Sequence, residues 1–379
     1  MIPRYLPAVG LSDALRLYAS SSNGNTAHPA RFVPDTSSWH PYAFERARHG
    51  LTAWLRTLPR AGGSRVLVSA QICPAVREAI AAAGLTPAFI DVDDAYPSPS
   101  PSQFAAALGG EVVAVIVAPM YGYIQDDWSM LAAVIGATSL CVDMAQGLLL
   151  DDRLAVLLGR ADAVLYSFSL GKGLDVGGGL LFARTPLPQT GPMDRAPRAL
   201  MSVVAAGLTW RALVASGLYR ACVPLIERQI DRDQHDTNES SVAPPRDPGG
   251  RLSDWAARVD AFARDVGRAR DRARRIGTLP SVRAGCRDVD VFCNDGGATY
   301  LRQVLRLREA ARRPRVLEAL RRLGIDCAPA GEPLPPSPAS DTFPNAVRFA
   351  SDAIRLPFLG RLRDGEQARV EGALEAAIG

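Results

Sequence analysis

The chain has 379 residues, 47% hydrophobic and 22% charged, with 33 glycines and 29 prolines that follow no period. That composition excludes a wholly disordered, collagen-like or coiled-coil chain, and a formal net charge of +4 is too small and too dispersed to predict nucleic-acid binding. At this length one large α/β domain with a smaller companion is expected.

Residues 1–40 read as an N-terminal arm. They hold no apolar run followed by a small-residue cleavage site, so no signal peptide is predicted and a cytoplasmic protein is expected. From Pro41 to Leu58, a helix is predicted with Phe44, Ala47, Leu51, Trp54 and Leu58 on one face. Val66 to Val68 reads as a buried strand, followed by a helix that Pro74 opens and Gly84 ends. Further strands are predicted over Ala88–Val92, Val112–Ala118, Ser139–Val142, Ala163–Ser169 and Gly179–Ala183, with a helix over Ser129–Ala137. Strands that alternate with helices and are apolar throughout predict a mostly parallel sheet covered on both faces.

The apolar segment from Arg198 to Arg232 is interrupted by Arg211, Arg220 and Arg228. It falls short of the ~20 apolar residues that span a bilayer. It is expected to pack against the body or a second subunit rather than a membrane. Gln234 to Gly250 is polar and rich in proline and glycine, which predicts a loop. A long Arg-rich helix, Leu252 to Ile276, then leads into a C-terminal unit. That unit has predicted strands at Tyr300–Leu307 and Ile354–Leu356, and predicted helices at Pro314–Leu323 and Asp364–Ile378. The expected organisation is a large domain over 41–247, with a helical insertion at about 190–232 and a loop at 233–250, and a smaller α+β domain over 248–379. The six cysteines form no C-x-x-C pair and read as buried free thiols, and the four histidines lack metal-ligand spacing, so no metal site is predicted.

Of 43 basic residues one is a lysine, Lys172. Arginine supplies fixed positive charge anywhere on a surface, but it cannot become a neutral amine. A lysine kept in an otherwise Arg-only chain is therefore a candidate for amine chemistry such as a Schiff base. Its alternative reading is a surface residue retained by chance. Three features at strand ends bear on the choice: Asp143 after Ser139–Val142, followed by Gln146; Ser167 after Ala163–Tyr166; and Lys172 itself, followed by Gly177-Gly178-Gly179. Open α/β sheets gather their sites at such an edge. An acid for a pyridine nitrogen, a hydroxyl for phosphate and a unique amine suit pyridoxal phosphate (PLP).

Ser167-Phe168-Ser169-Leu170-Gly171-Lys172 resembles the S-F-x-x-x-K lysine motif of the DegT/DnrJ/StrS sugar aminotransferases, and Val142-Asp143-Met144-Ala145-Gln146 resembles their E-D-A-A-Q segment. Val66–Asp93, Tyr121-Gly122 and Ala350–Ile378 are similar to further stretches of that family, leaving out roughly residues 1–40 and 186–247. The resemblance implies the fold-type I architecture of PLP-dependent transferases, with PLP as cofactor. It implies Lys172 as the Schiff-base lysine and proton shuttle, Asp143 as the partner of the pyridine nitrogen, Gln146 on the ring's hydroxyl side, and Ser167 at the phosphate. The family's S-G-T-A-A phosphate loop corresponds to His49-Gly50-Leu51-Thr52-Ala53, which implicates Gly50, Leu51 and Thr52. Cys73 stands where an aromatic residue covers the ring, Tyr121 falls at a substrate-side turn, and Arg251 follows the position of an Asn lent across the dimer, here Gly249. Arg251 can bind a substrate phosphate or pair with a carboxylate at the dimer interface. The Glu of the family's G-E-G-G is Gly178.

The resemblance further implies a homodimer with shared active sites and small-molecule substrates: glutamate as amino donor and a keto group on a nucleotide sugar or related polyol as acceptor. Two alternatives stay open, a different PLP reaction (elimination, replacement or decarboxylation) and a degenerate homologue with a binding or regulatory role.

Overall fold

A computed structural model describes residue 2 and residues 29–60, 63–147, 152–169, 172, 177–188, 212, 216, 218–219, 221–223, 245–248, 251–293, 301–335 and 342–379. Seven strands form the central sheet: β1 (His40–Phe44), β2 (Arg65–Ser69), β3 (Thr86–Ile90), β4 (Val112–Val117), β5 (Ser139–Asp143), β6 (Ala163–Ser167) and β7 (Gly179–Ala183). Their spatial order is β1-β7-β6-β5-β4-β2-β3. The run from β3 to β6 is parallel, as the continuous apolar strands predict, and β7 pairs antiparallel with both β6 and β1. Helices α1 (Ala47–Leu55), α2 (Pro74–Ala82), α3 (Pro101–Ala107), α4 (Leu131–Ile135) and α5 (Asp152–Arg160) accompany these strands.

The helix predicted over Pro41–Leu58 forms only from Ala47 to Leu55, because His40–Phe44 is the edge strand β1. Tyr42, Ala43 and Phe44 are all buried there, and three consecutive residues cannot share one helical face. Pairing with β7 on one side and a two-bond bridge between Ala43 and Arg246 on the other buries all three. An edge strand also tolerates Pro41, which has no N–H to donate. Helix α3, which the hydrophobic pattern does not announce, starts with a capping box: Ser100 Oγ accepts from Gln103 N–H, and Gln103 Oε1 accepts from Ser100 N–H at 2.8 Å.

Helix α6 (Arg251–Thr278) spans 28 residues, about 42 Å at the usual rise per residue. Trp255 near its start lies against Phe168, with ring centroids 4.7 Å apart, and Phe262 stacks on Phe358 at 5.5 Å. Arg272 is buried, donating to the carbonyls of Leu359 and Leu362 at 2.7 Å and to Asp364 Oδ1 at 2.9 Å. Beyond α6 come α7 (Pro280–Gly285), α8 (Val289–Cys293), α9 (Arg313–Arg322), α10 (Pro344–Asp352) and α11 (Asp364–Ile378). Strands β8 (Cys286–Arg287), β9 (Val304–Leu307), β10 (Ala328–Pro329) and β11 (Ala353–Arg355) form an antiparallel sheet in the order β10-β11-β9-β8.

The C-terminal unit is tied to the first sheet through buried polar contacts. Arg306, 1% exposed, donates to Asp352 Oδ1 and Oδ2 at 3.1 and 3.2 Å, to Asp288 Oδ2 at 3.1 Å and to the Asp94 carbonyl. Asp91 just after β3 accepts from the N–H groups of Asn345 and Ala346 at the start of α10. Most of the apolar 198–232 segment lies outside the described residues. Its Tyr219 is buried and donates to Asp326 Oδ2 at 2.6 Å, a contact with the body of the protein. Among the described residues no helix is long and apolar enough to cross a membrane, and no group of three or more His, Cys, Asp or Glu is placed to hold a metal ion. Cys73, Cys141, Cys222, Cys286 and Cys327 are free thiols.

Candidate active site

Strands β5 and β6 are parallel neighbours, so their C-terminal ends, Asp143 and Ser167, open on the same edge of the sheet. A cavity of about 300 Å³ lies at that edge, and Asp143, Gln146, Ser167, Lys172, Cys73 and Leu51 all line it. Six residues picked from scattered positions in the sequence therefore converge on one space, of the size that holds a small cofactor.

Asp143 is 6% exposed, and its Oδ1 accepts from Ala145 N–H at 2.9 Å. Burial pushes its carboxyl above the ordinary carboxylate range, against the opposing pull of that N–H and of Lys172. A buried acid beside an amine is suited to a further cation, such as a protonated ring nitrogen. Lys172 lies in the loop joining β6 to β7, in a turn where its own N–H donates to Ser169 O at 3.0 Å. Ser167 Oγ donates to Ser169 Oγ at 3.3 Å, and both serines line the cavity. Gln146 Oε1 accepts from Tyr121 N–H at 2.8 Å, which fixes the side chain. Cys73 precedes α2, and burial pushes its thiol up to about 11.

Of the predicted phosphate loop, Leu51 lines the cavity, whereas Thr52 and Gly50 do not. Thr52 is buried, and its hydroxyl donates to Arg48 O at 3.0 Å and Ala79 O at 3.4 Å, joining α1 to α2 away from the cavity wall. Gly50 is likewise absent from the wall; a Cβ there would stand 3.0 Å from the Phe44 ring, so glycine lets α1 lie on β1. The wall instead takes Glu45, Arg46, Ala47 and Arg48, the chain that turns from β1 into α1, so the start of the helix faces the site. The sequence signal for this is the polar Glu45-Arg46-Ala47-Arg48 run between an apolar strand and an amphipathic helix, which a continuous helix from Pro41 conceals.

The glycine run after Lys172 brings the helix start to the site. Gly178 has φ +89°, and a Cβ on it would stand 3.2 Å from Phe44 O; a Cβ on Gly179 would stand 2.5 Å from Ala47 Cα. Only glycine permits that approach of α1 to the start of β7. Tyr121 is not in the wall either. It is buried behind Gln146, with φ +57°, a stack on Phe349 at 6.1 Å and burial pushing its phenol up to about 12. The side chain of Arg251 and residue Gly249 lie outside the described residues.

Residues 36–187 match the model of the DegT/DnrJ/EryC1/StrS aminotransferase family. No curated protein sequence matches the chain. Among solved structures, the aminotransferase TlmJ from Streptoalloteichus hindustanus is 20% identical with a TM-score of 0.66, covering 100% of this chain and 98% of that one. The ntda protein of Bacillus subtilis with bound cofactor PMP is 13% identical with a TM-score of 0.66, covering 100% of this chain and 85% of that one. The sugar aminotransferase CalS13 from Micromonospora echinospora is 19% identical with a TM-score of 0.60, covering 99% of this chain and 100% of that one. At these identities the likenesses establish the fold, and it is the fold-type I architecture expected from the sequence.

Proposed function

We propose that the chain is a PLP-dependent aminotransferase acting on sugars, a reading supported by the match of residues 36–187 to the DegT/DnrJ/EryC1/StrS aminotransferase family model. The observation that carries the reading is the convergence of Asp143, Ser167 and Lys172 on one cavity beside the start of α1. Bound there, PLP supplies an electron sink for bond changes at the substrate carbon. The residues of the chain do the rest. Lys172 Nζ holds the cofactor and, when released, moves a proton at the substrate carbon. The Asp143 carboxylate holds the proton of the ring nitrogen, and Gln146 orients the ring from its hydroxyl side. Ser167, Ser169 and the N–H groups of the first turn of α1 hold the phosphate, with Arg46 and Arg48 supplying charge. Arg48 is already steadied by Glu78 at 2.7 Å.

In the finer reading, glutamate donates the amine and a nucleotide-linked keto sugar or related polyol accepts it. Residues 41–247 form the cofactor domain and 248–379 the smaller one, in a cytoplasmic homodimer whose active sites are shared. Light scattering that finds a fully active monomer would remove the dimer from this reading. The central test is spectroscopic. Purified protein should show the visible absorption of a lysine-bound cofactor, borohydride should fix the cofactor to Lys172, and Lys172→Ala should abolish both. A variant that keeps the band and turns over overturns the assignment.

A further inference from the structure

Gln146 lines the cavity, and a side-chain amide has an acceptor end and a donor end. Its Oε1 accepts from Tyr121 N–H at 2.8 Å. A backbone N–H can only donate, so this bond settles which way round the amide sits. Nε2, with its two hydrogens, is then the end that Gln146 can offer to a ligand.

The residue that donates this bond has an unusual backbone. Tyr121 has φ +57° and ψ 9°, a left-handed conformation that is unfavourable for any residue with a Cβ. The turn around it is closed by Gly122 N–H, which donates to Pro119 O at 2.9 Å, and by Tyr123 N–H, which donates to Met120 O at 3.1 Å. Pro119 and Met120 belong to the cavity wall, whereas Tyr121 does not. Its side chain is gripped instead by the C-terminal unit. Tyr121 Oη accepts from Gly331 N–H at 2.7 Å, and the ring stacks on Phe349 with centroids 6.1 Å apart and 28° between the planes. Glycine is required at 331, where φ is +100° and a Cβ would stand 3.1 Å from Ala350 Cα. These contacts offset the unfavourable backbone and hold it in place.

We infer that Tyr121 is a positioning residue, gripped by the C-terminal unit so that its N–H fixes Gln146 with Nε2 as a donor to the ring hydroxyl oxygen of the cofactor. The inference rests on the aminotransferase reading and deepens it. Its test reads the pH at which the visible band of the lysine-bound cofactor changes form in the holoenzyme. The proton on the lysine–cofactor link is held in part by the neighbouring ring oxygen. A donor to that oxygen competes for its charge, so the proton leaves at lower pH. Gln146→Leu should therefore raise the midpoint by about 1–2 pH units. Tyr121→Phe keeps the ring stack but loses the acceptor of Gly331 N–H, and should raise it by a smaller step. Tyr121→Ala loses the stack as well and should raise it further. Burial pushes the Tyr121 phenol up to about 12, so the phenol does not itself titrate in this range. The charged wall residues Glu45, Arg46, Arg48 and Asp143 are the same in every variant.

The deciding comparison places the Tyr121 variants in a Gln146→Leu background. If Tyr121 acts through Gln146, neither variant should move the midpoint there. A purely structural tyrosine would shift both backgrounds alike or neither. Midpoints unmoved by Tyr121→Phe and Tyr121→Ala in the otherwise wild-type chain, or shifts that persist in full beside Gln146→Leu, overturn the inference. Should Tyr121→Ala fail to fold, Tyr121→Phe carries the same comparison. Wild-type protein that binds no PLP would instead sink the aminotransferase reading, so the two failures are distinguishable.

Discussion

Replacing Asp143 by Asn separates what the carboxylate does for the fold from what it does for the cofactor. The amide oxygen can still accept from Ala145 N–H, the bond of 2.9 Å that holds the present side chain, so the strand end keeps its shape. What is lost is a negative charge on a residue 6% exposed. An opposite charge in contact moves a pKa by about 1–3 units, and each unit is worth about 1.4 kcal/mol. In the proposed reading the ring nitrogen then loses that much of its hold on the proton, and transamination should slow by about 10- to 1000-fold. Stability should move the other way. Burial raises the Asp143 carboxyl above its ordinary value of 3.8. A raised acid contributes stability that is fully present below 3.8 and is lost as pH rises through the folded value. At neutral pH the charged group therefore weighs against the cofactor-free fold, and Asp143→Asn should unfold at higher urea than wild type there, with the advantage vanishing in acid. Single-turnover rates with glutamate and urea midpoints of cofactor-free protein at two pH values provide the assay. Wild-type turnover in the Asn variant would refute the role of the charge, and a lower urea midpoint at neutral pH would refute the account of its burial.

Thr52→Ala should cost about 1 kcal/mol of stability, since its hydroxyl bonds to the Arg48 carbonyl of its own helix and reaches the Ala79 carbonyl of α2, and should leave PLP affinity unchanged; a tenfold loss of affinity in equilibrium dialysis would return Thr52 to the phosphate. Arg306→Met strands Asp352, 2% exposed, with Arg287 at 3.5 Å as its remaining cation. About 3–5 kcal/mol of stability should be lost and largely recovered in Arg306→Met/Asp352→Leu, and a urea midpoint unchanged in the single variant would show that the fold does not depend on this buried pair.

The parts of the site that the sequence made legible are those fixed by covalent spacing along parallel strands. Asp143 and Ser167 end neighbouring strands, and an apolar run that stops at a polar residue announces such an end without any tertiary information. Lys172 stood out for a different reason, its isolation among arginines. The wall at the start of α1 was harder to read, because its geometry depends on where a helix starts. Phe44, Ala47, Leu51 and Trp54 keep a helical spacing, yet Phe44 belongs to a strand whose pairing with β7 is made by residues more than a hundred positions away. Tertiary pairing overrode local period there, moved the helix start to Ala47, and so exchanged Gly50 and Thr52 for Arg46 and Arg48 at the cavity. The contact that the Gly331–Glu332 backbone makes with residues next to the cavity wall left no local signal at all. Its place depends on Gln71 and Tyr121, each more than two hundred positions away, meeting two successive N–H groups beside a glycine of positive φ. A residue placed by such a clamp can be found only after the fold has brought its partners together.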